Sequence, residues 1–194
     1  MVFETVASAE GALDRRIVDA TLTLIARYGL AKLTLDDVAR EAGCSRAMLY
    51  RYHSGKQALL GVVVTSETAR LRAGLEEALA EAMTLEEALS AAAGFGAREF
   101  AGHAALQFLL AYEPGSVLPH LCFSGADRLL TVLSEVVEPQ LRRFLPSVQA
   151  RRVGEWLARI ILSYGCTPTA GGEAAVLQIV SDFVVPSVQQ DPHA

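Results

Sequence analysis

The chain has 194 residues, enough for one or two small domains with a buried core. Its net charge of −5 argues by itself against a protein that binds nucleic acid. Its three cysteines are scattered, and it shows neither a secretion signal nor an apolar stretch of about 18 residues. We therefore expect a cytoplasmic protein that neither spans a membrane nor is secreted.

The residue pattern predicts an all-α fold, because apolar residues recur at helical spacing and no alternating strand pattern is bounded by hairpin turns. The charge is unevenly distributed. Residues 1–60 hold eight Lys/Arg and seven Asp/Glu, a net of +1, whereas residues 61–194 hold nine and fifteen, a net of −6. A slightly basic end joined to an acidic body suits a protein that touches DNA at that end only.

The N-terminal part of the chain is predicted to be a flexible arm followed by a helix. Residues 1–11 lack periodicity and form the arm. Residues 13–28 carry apolar side chains at intervals of three and four, which is typical of an amphipathic helix. Gly29 is expected to end this helix. The apolar stripe consists of Leu13, Ile17, Ala20, Leu24 and Tyr28.

Residues 34–56 predict two short helices joined by a tight turn. Thr34 and Ser45 are suited to cap the two helices, and Gly43 is suited to end the first. Leu49 and His53 lie four residues apart and are expected to face inward. The side chains left outside include no acid and could bind phosphate, a guanine edge or a thymine methyl group; a helical hairpin with an ordinary mixed surface is the alternative. These outward residues are Arg46, Ala47, Met48, Tyr50 and Arg51.

The same stretch resembles the DNA-binding motif of the TetR (tetracycline-repressor) family of bacterial transcriptional regulators. The residues that carry the resemblance are Thr34, Val38-Ala39, Ala42-Gly43-Cys44-Ser45, Leu49-Tyr50, Lys56 and Leu59. Two positions depart from the family pattern, since Cys44 replaces the usual Val and His53 replaces the Phe that usually closes the small core. The resemblance covers about residues 13–62.

This resemblance implies a helix-turn-helix DNA-binding domain over residues 12–60 and a ligand-binding and dimerisation domain over residues 61–194. It implies a dimeric repressor on a palindromic DNA operator, released by a small hydrophobic effector. Arg46, Met48 and Tyr50 would enter the major groove with Arg51, and Arg15 or Arg16 could also reach a phosphate. The full set of expected DNA-binding residues is Thr34, Ser45, Arg46, Ala47, Met48, Tyr50, Arg51 and Lys56, with Thr34, Ser45 and Lys56 on phosphates.

Several helices are predicted beyond the motif. The pair Ser54 and Gln57 opens a long helix that runs to about residue 82, and the pair Thr84 and Glu87 opens the next one. Residues 113–119, with two prolines and a glycine, are predicted to form a loop.

Later in the chain, Ser124 with Asp127 is expected to begin a further helix, in which Pro139 should form a kink or a break. The last two predicted helices, residues 148–164 and 173–185, suggest a dimer interface. The second of them is apolar on nearly all sides, so it must be covered on two sides. A second subunit is the simplest cover, and a central position within a monomer is the alternative. The predicted interface residues are Val153, Trp156, Ile160, Val176, Val180 and Phe183.

By the resemblance, the second domain also encloses an effector pocket. Glycines at 94, 96 and 102 are expected to leave room in it, and those at 94 and 96 to bend or thin their helix. The predicted effector is apolar and elongated, such as an acyl chain or a lipophilic drug, with His103 or Gln107 fixing one polar end. Core packing is the alternative role for each aromatic residue. The predicted lining residues are Phe95, Phe100, His103, Gln107, Phe108, Tyr112, Leu130 and Leu133.

An enzyme is not favoured by this sequence. The four histidines lack metal-ligand spacing, and there is no phosphate-cradling glycine loop, no G-x-S-x-G and no pair of carboxylates in an apolar setting. We therefore expect no catalytic residue, no metal site and no cofactor. The remaining alternative is a helical carrier or scaffold that binds a hydrophobic ligand without binding DNA.

Overall fold

The computed structural model describes residues 2–121, 126–167 and 170–189, and every regular element within those ranges is a helix. The predicted all-α fold is therefore confirmed. None of the described helices is both long enough and apolar enough to cross a membrane. The helices are α1 (Val2–Tyr28), α2 (Leu35–Glu41), α3 (Arg46–Tyr52), α4 (Lys56–Ala80), α5 (Leu85–Gly102), α6 (Ala104–Tyr112), α7 (Pro114–Leu121), α8 (Ala126–Leu141), α9 (Ser147–Cys166), α10 (Gly172–Ile179), a π-helical segment (Val180–Val184) and α11 (Val185–Gln189).

One compact unit combines Met1–Glu67 with Ala104–Val117. In it, α1 packs against α2 and α6. The apolar stripe of α1 forms a core with Leu49 of α3 and Ala105 of α6. The sequence placed residues 104–117 in the second domain, whereas the structure groups them with the first helices because α6 completes this core.

The second compact unit combines Thr68–His103 with Leu118–Ala194. Within it, α9 packs against α5 and α8, and α10 packs against α5. The inner face of α9 places Leu157 and Ile161 in the core, as the spacing predicts.

Three of the predicted helix caps are present, at Thr34, Ser45 and Thr84. The side chain of Thr34 accepts a hydrogen bond from the backbone N–H of Asp37, and Ser45 Oγ accepts one from the N–H of Met48 at 3.1 Å. Thr84 and Glu87 form the predicted reciprocal capping box at the start of α5.

The structure corrects several predicted boundaries. Helix α1 begins at Val2, so residues 2–11 are helical rather than a flexible arm; the segment contains no proline, the residue that most strongly opposes a helix. The predicted loop over residues 113–119 is largely occupied by α7. Pro114 is the first residue of α7, where its missing N–H would have no partner in any case.

At two places where the sequence predicts a bend, a kink or a break, the helix is continuous. Helix α5 continues through Gly94 and Gly96, both of which are buried. Helix α8 continues through Pro139 and ends at Leu141, so this proline does not split the helix, although it removes one backbone hydrogen bond near the helix end. Ser124, the predicted cap of α8, lies outside the described residues. The π-helical segment Val180–Val184 has no signal that we recognised in the sequence.

Candidate nucleic-acid interface

The α2–turn–α3 segment has the geometry predicted for a helix-turn-helix. Gly43 has a φ of +62°, a left-handed conformation that strains any residue with a Cβ. Its N–H donates to the carbonyl of Arg40, and the N–H of Cys44 donates to the carbonyl of Ala39 at 3.0 Å. These bonds close the end of α2 and direct the chain into α3 within a few residues.

Arg16 of α1 binds the turn between α2 and α3 through hydrogen bonds to backbone carbonyls. Its Nε donates to the carbonyl of Ala42 at 3.0 Å, and a terminal nitrogen donates to the carbonyls of Ala42 and Gly43. The last carbonyls of a helix lack partners in the helix itself, so a guanidinium suits them in both charge and geometry. From the sequence we expected only solvent or a phosphate beside Arg16, and this role was missed.

The inner side of α3 is closed by Leu49 and His53, which are 0% and 4% exposed. Both face inward as predicted. Within the described part of the chain, His53 Nε2 is buried and has no hydrogen-bond partner. A buried polar atom without a partner destabilises its surroundings, so His53 is a weak point of this small core.

The outer side of α3 is exposed along its whole length. All five residues that the spacing places outside are exposed, and none is an acid. A surface with two guanidinium groups, a phenol and two small or flexible apolar side chains can contact both phosphates and base edges. These residues are Arg46, Ala47, Met48, Tyr50 and Arg51.

An acid nevertheless comes close to this surface from α2. Arg46 Nε lies 2.8 Å from a carboxylate oxygen of Asp36, and its guanidinium lies over the Tyr50 ring at 5.5 Å from the ring centroid. The pKa of Arg46 is raised above its ordinary value, first because Tyr50 accepts a hydrogen bond from the guanidinium and then because of the negative charge of Asp36. Arg46 is therefore held between two neighbours rather than extended freely into solvent.

The three residues expected on phosphates are already engaged. Thr34 Oγ1 donates to Asp37 at 2.5 Å, and Ser45 caps α3. Lys56 Nζ donates to the carbonyl of Leu30 at 2.6 Å. Lys56 thus fixes the turn between α1 and α2, a role that the sequence did not suggest.

The same turn is held from its other side by Glu113. This carboxylate accepts hydrogen bonds from the N–H groups of Leu30, at 3.1 Å, and Ala31, at 3.2 Å. Glu113 follows α6 directly, and Phe108 of α6 lies so close to Gly29 that a Cβ at Gly29 would meet its ring at 2.9 Å. The turn that leads into the helix-turn-helix is therefore built jointly by α4, α6 and the glycine.

The predicted interface residues all belong to the second unit and differ in their exposure. Trp156 and Phe183 are 43% and 65% exposed, and they line a groove of about 530 Å³ beside α9 and α11. Ile160 is half-buried. Val153, Val176 and Val180 are buried within the unit, and of these three Val153 also lines the groove.

The predicted effector-lining residues are divided between the two units. Gln107, Phe108 and Tyr112 belong to the first unit, where Phe108 and Tyr112 form an aromatic pair with ring centroids 4.8 Å apart. Tyr112 is 74% exposed. The second unit holds the others, of which His103 is half-buried; they are Phe95, Phe100, His103, Leu130 and Leu133.

The glycines near these aromatics do not leave room, which corrects the expectation from the sequence. A Cβ at Gly96 would overlap the Cγ2 methyl of Ile161, and one at Gly94 would lie 3.0 Å from the Glu173 carboxylate. Gly102 has no neighbour within 4 Å because it is exposed. Gly94 and Gly96 are thus positions where another helix approaches closely.

Two of the aromatic residues are themselves packed onto glycines. The Phe95 ring would lie 2.7 Å from a Cβ at Gly74, and the Phe100 ring occupies the space beside Gly165. Phe100 is buried. These contacts agree with the alternative that the sequence left open, in which such rings fill the core.

The chain is similar to known proteins. Residues 17–63 match the family described as bacterial regulatory proteins, tetR family. The chain is 30% identical over 153 residues to the HTH-type transcriptional regulator BetI of Agrobacterium fabrum. The aligned region covers 76% of this chain and 72% of that protein. The TetR family repressor AlkX from Dietzia sp., implicated in biodegradation of n-alkanes, has a similar structure, with a TM-score of 0.68 and 22% identity over 91% of this chain and 95% of that one. The regulator FadR from Bacillus subtilis in complex with stearoyl-CoA is similar with a TM-score of 0.59 and 18% identity over 87% and 97%.

Proposed function

Because the chain belongs to the TetR family and is a transcriptional regulator with a DNA-binding helix-turn-helix, we propose that it represses transcription as a homodimer on a palindromic operator. We propose further that a small hydrophobic effector releases it from that operator. The single observation that carries the DNA-binding part is the exposed outer face of α3, whose own residues include two arginines and no acid.

This face suits the major groove. Arg46 and Arg51 carry the guanidinium groups that recognise guanine O6 and N7, Tyr50 can donate to a phosphate or a base, and Met48 with Ala47 can touch a thymine methyl group. Thr34 and Ser45 cap the N-termini of α2 and α3 with hydrogen bonds inside the protein. We propose that these N-termini face the DNA backbone, where their backbone N–H groups favour a phosphate.

Lys56 has a less direct role than the resemblance implied. Its ammonium group already donates to the carbonyl of Leu30, so a phosphate would have to share or replace that bond. We propose that Lys56 mainly fixes the α1–α2 turn and adds positive charge near the DNA. Replacing it should therefore lower both the stability of the first unit and the salt dependence of binding.

The DNA experiment uses the full chain and duplexes selected from a random library. The double variant Arg46→Ala, Tyr50→Ala should lose the selected operator, and Arg46→Ala alone should weaken binding by about 1 to 3 kcal/mol. Arg142→Ala is the matched control, because it removes one exposed arginine, paired with Glu138, from the second unit. Tight operator binding by the double variant would contradict the proposal. A wild-type chain that binds no duplex even at low salt would favour the carrier alternative.

The homodimer proposal is supported by the apolar surface beside α9 and α11. Trp156 and Phe183, which line the groove, are 43% and 65% exposed, which is unusual for large apolar side chains grouped on one surface. Two copies paired by a two-fold axis would cover this surface with the same surface of the partner. Their two α3 helices could then read half-sites about 34 to 36 Å apart, or a multiple of one turn.

The assembly test compares two acidic substitutions of exposed apolar residues. Phe183→Glu should give a monomer in sedimentation at micromolar concentration, because a charge in an apolar interface is costly. Met83→Glu is the control, since Met83 is 75% exposed at a different place in the same unit. Trp156 is the single tryptophan of the chain, so its emission should also shift on dissociation. A wild-type chain that stays monomeric would contradict this part of the proposal.

The effector proposal is supported by composition and by the named neighbours. The stretch from Phe100 to Tyr112 contains thirteen residues without Lys, Arg, Asp or Glu. One structural neighbour was solved with stearoyl-CoA, and another is implicated in n-alkane biodegradation. We therefore propose a ligand with a long acyl or alkyl chain.

The effector test titrates stearoyl-CoA into the protein–operator complex and uses acetyl-CoA as the control. The two ligands share the nucleotide part, so a difference between them reports on the acyl chain. Stearoyl-CoA should weaken operator binding by about 1 to 3 kcal/mol, since a ligand shifts the equilibrium only by its preference for the state that does not bind DNA. Equal effects of both ligands, or none, would contradict a long-chain effector.

A further inference from the structure

Asp36 occupies an unusual place for an acid. It lies in the first turn of α2, yet its carboxylate reaches Arg46 in the first turn of α3 at 2.8 Å. The neighbouring Asp37 behaves differently, because it is bound to the Thr34 cap and to Arg40 of its own helix. Asp36 is thus the acid that contacts the outer face of α3 in the described structure of the helix-turn-helix.

An acid here works against binding to DNA in general. The Asp36 side chain is 46% exposed beside a surface that would approach phosphates. Its negative charge would repel the negative charges of the DNA backbone. A compensating benefit would have to act on specificity rather than on affinity.

The geometry offers such a benefit. Asp36 contacts Arg46 at Nε, so this ion pair does not use the edge formed by the two terminal nitrogens of the guanidinium, and the Arg46 side chain is 65% exposed. That edge is the one that donates two parallel hydrogen bonds to O6 and N7 of guanine. The Tyr50 ring, also on α3, lies against the guanidinium in a cation–π contact and restricts its movement.

We infer that Asp36 is a positioning residue that orients Arg46 for one guanine of the operator. This inference rests on the proposed major-groove role of Arg46. An arginine loses considerable rotamer freedom when it is fixed, and part of this loss is already incurred in the free protein. Asp36 therefore sharpens the choice of base at one position while weakening the attraction for DNA of any sequence.

The expected size follows from the exposure of the pair. An exposed ion pair contributes about 0.2 to 1 kcal/mol, so Asp36→Asn should reduce the discrimination at that position by about 1.5- to fivefold. The same variant should bind random duplex more tightly, because one negative charge is removed.

The experiment measures affinities of the full chain for the selected operator, for the operator changed at each base pair, and for random duplex. Four proteins are compared with wild type: Arg46→Ala, Asp36→Asn, the double variant of these two, and Glu41→Gln. Glu41 is the matched control because it is an acid at the end of the same helix, paired with Arg27. Thermal unfolding by circular dichroism is recorded for each variant.

Arg46→Ala should lose discrimination at one base pair, and Asp36→Asn should reduce it at that base pair only. In the Arg46→Ala background Asp36→Asn should have no further effect, and Glu41→Gln should keep full discrimination. A merely structural role for Asp36 would lower binding at every position together with the melting temperature, and this result would overturn the inference.

The inference is also overturned if Asp36→Asn leaves discrimination unchanged, or reduces it equally with and without Arg46. If Arg46→Ala retains discrimination at every base pair while wild type remains sequence-specific, the inference fails and sequence-specific DNA binding stands. If wild type selects no sequence at all, the proposed function itself fails.

Discussion

Adding a single methyl group at Gly96 tests the packing of α5 against α9. The Cβ of Gly96→Ala would overlap the Cγ2 methyl of Ile161 and lie 3.2 Å from its Cγ1 and Cδ1 atoms. Ile161 is β-branched and helical, so its side chain cannot easily rotate away. Overpacking of this kind costs up to about 3 kcal/mol, and alanine returns about 1 kcal/mol through its helix propensity. We therefore expect the free energy of unfolding to fall by about 2 kcal/mol in urea titrations followed by circular dichroism.

The control lies in the same helix. Gly102 has no neighbour within 4 Å, so Gly102→Ala should be neutral or stabilising by up to about 1 kcal/mol. Ile161→Ala removes all three atoms that the new Cβ would meet, and in that background Gly96→Ala should no longer destabilise. If Gly96→Ala is as harmless as Gly102→Ala in the wild-type background, Gly96 borders open space and the close packing of α5 against Ile161 is wrong.

Three further variants test other contacts, each by urea unfolding of the full chain. His53→Phe should raise the free energy of unfolding by about 1 kcal/mol, because it removes a buried nitrogen without a hydrogen-bond partner, and a loss of stability would contradict this expectation. Arg16→Met keeps the aliphatic stem but loses the bonds to the end of α2, and should cost about 1 to 3 kcal/mol; an unchanged midpoint would show that the turn does not need them. Glu113→Ala should cost about 1 to 2 kcal/mol by freeing two backbone N–H groups of the α1–α2 turn, and Glu86→Ala, an exposed acid in the first turn of α5, should cost less.

Many local features of this fold were predictable because they depend on residues three or four apart. The caps at Thr34, Ser45 and Thr84 follow from hydrogen bonds within one helical turn, and the structure contains all three. The same short range made the outer face of α3 predictable from spacing alone. The predicted loop at residues 113–119 was wrong because proline was treated as a helix breaker, whereas Pro114 is the first residue of α7, where proline is tolerated.

The roles of several charged residues could not be predicted, because their partners are remote in sequence. Arg16 and Lys56 each bind carbonyl groups 26 residues away, and Glu113 binds N–H groups 82 and 83 residues away. A single sequence shows that such residues are charged but not which backbone group each one meets. Spacing could therefore suggest phosphate contacts for Lys56 and could not reveal its bond within the protein.

By itself, the sequence determined the helical class, the helix-turn-helix and its outward surface, since these arise from local periodicity and capping. Only the tertiary structure decided what the glycines do. Without a Cβ, a glycine either leaves a space or allows another helix to approach, and the sequence is the same in both cases. Ile161 lies against Gly96, and Phe100 lies against Gly165. At both positions the glycine therefore allows another helix to approach closely. The physical reason is that packing depends on which helices meet, and that is fixed by the whole core rather than by any one segment.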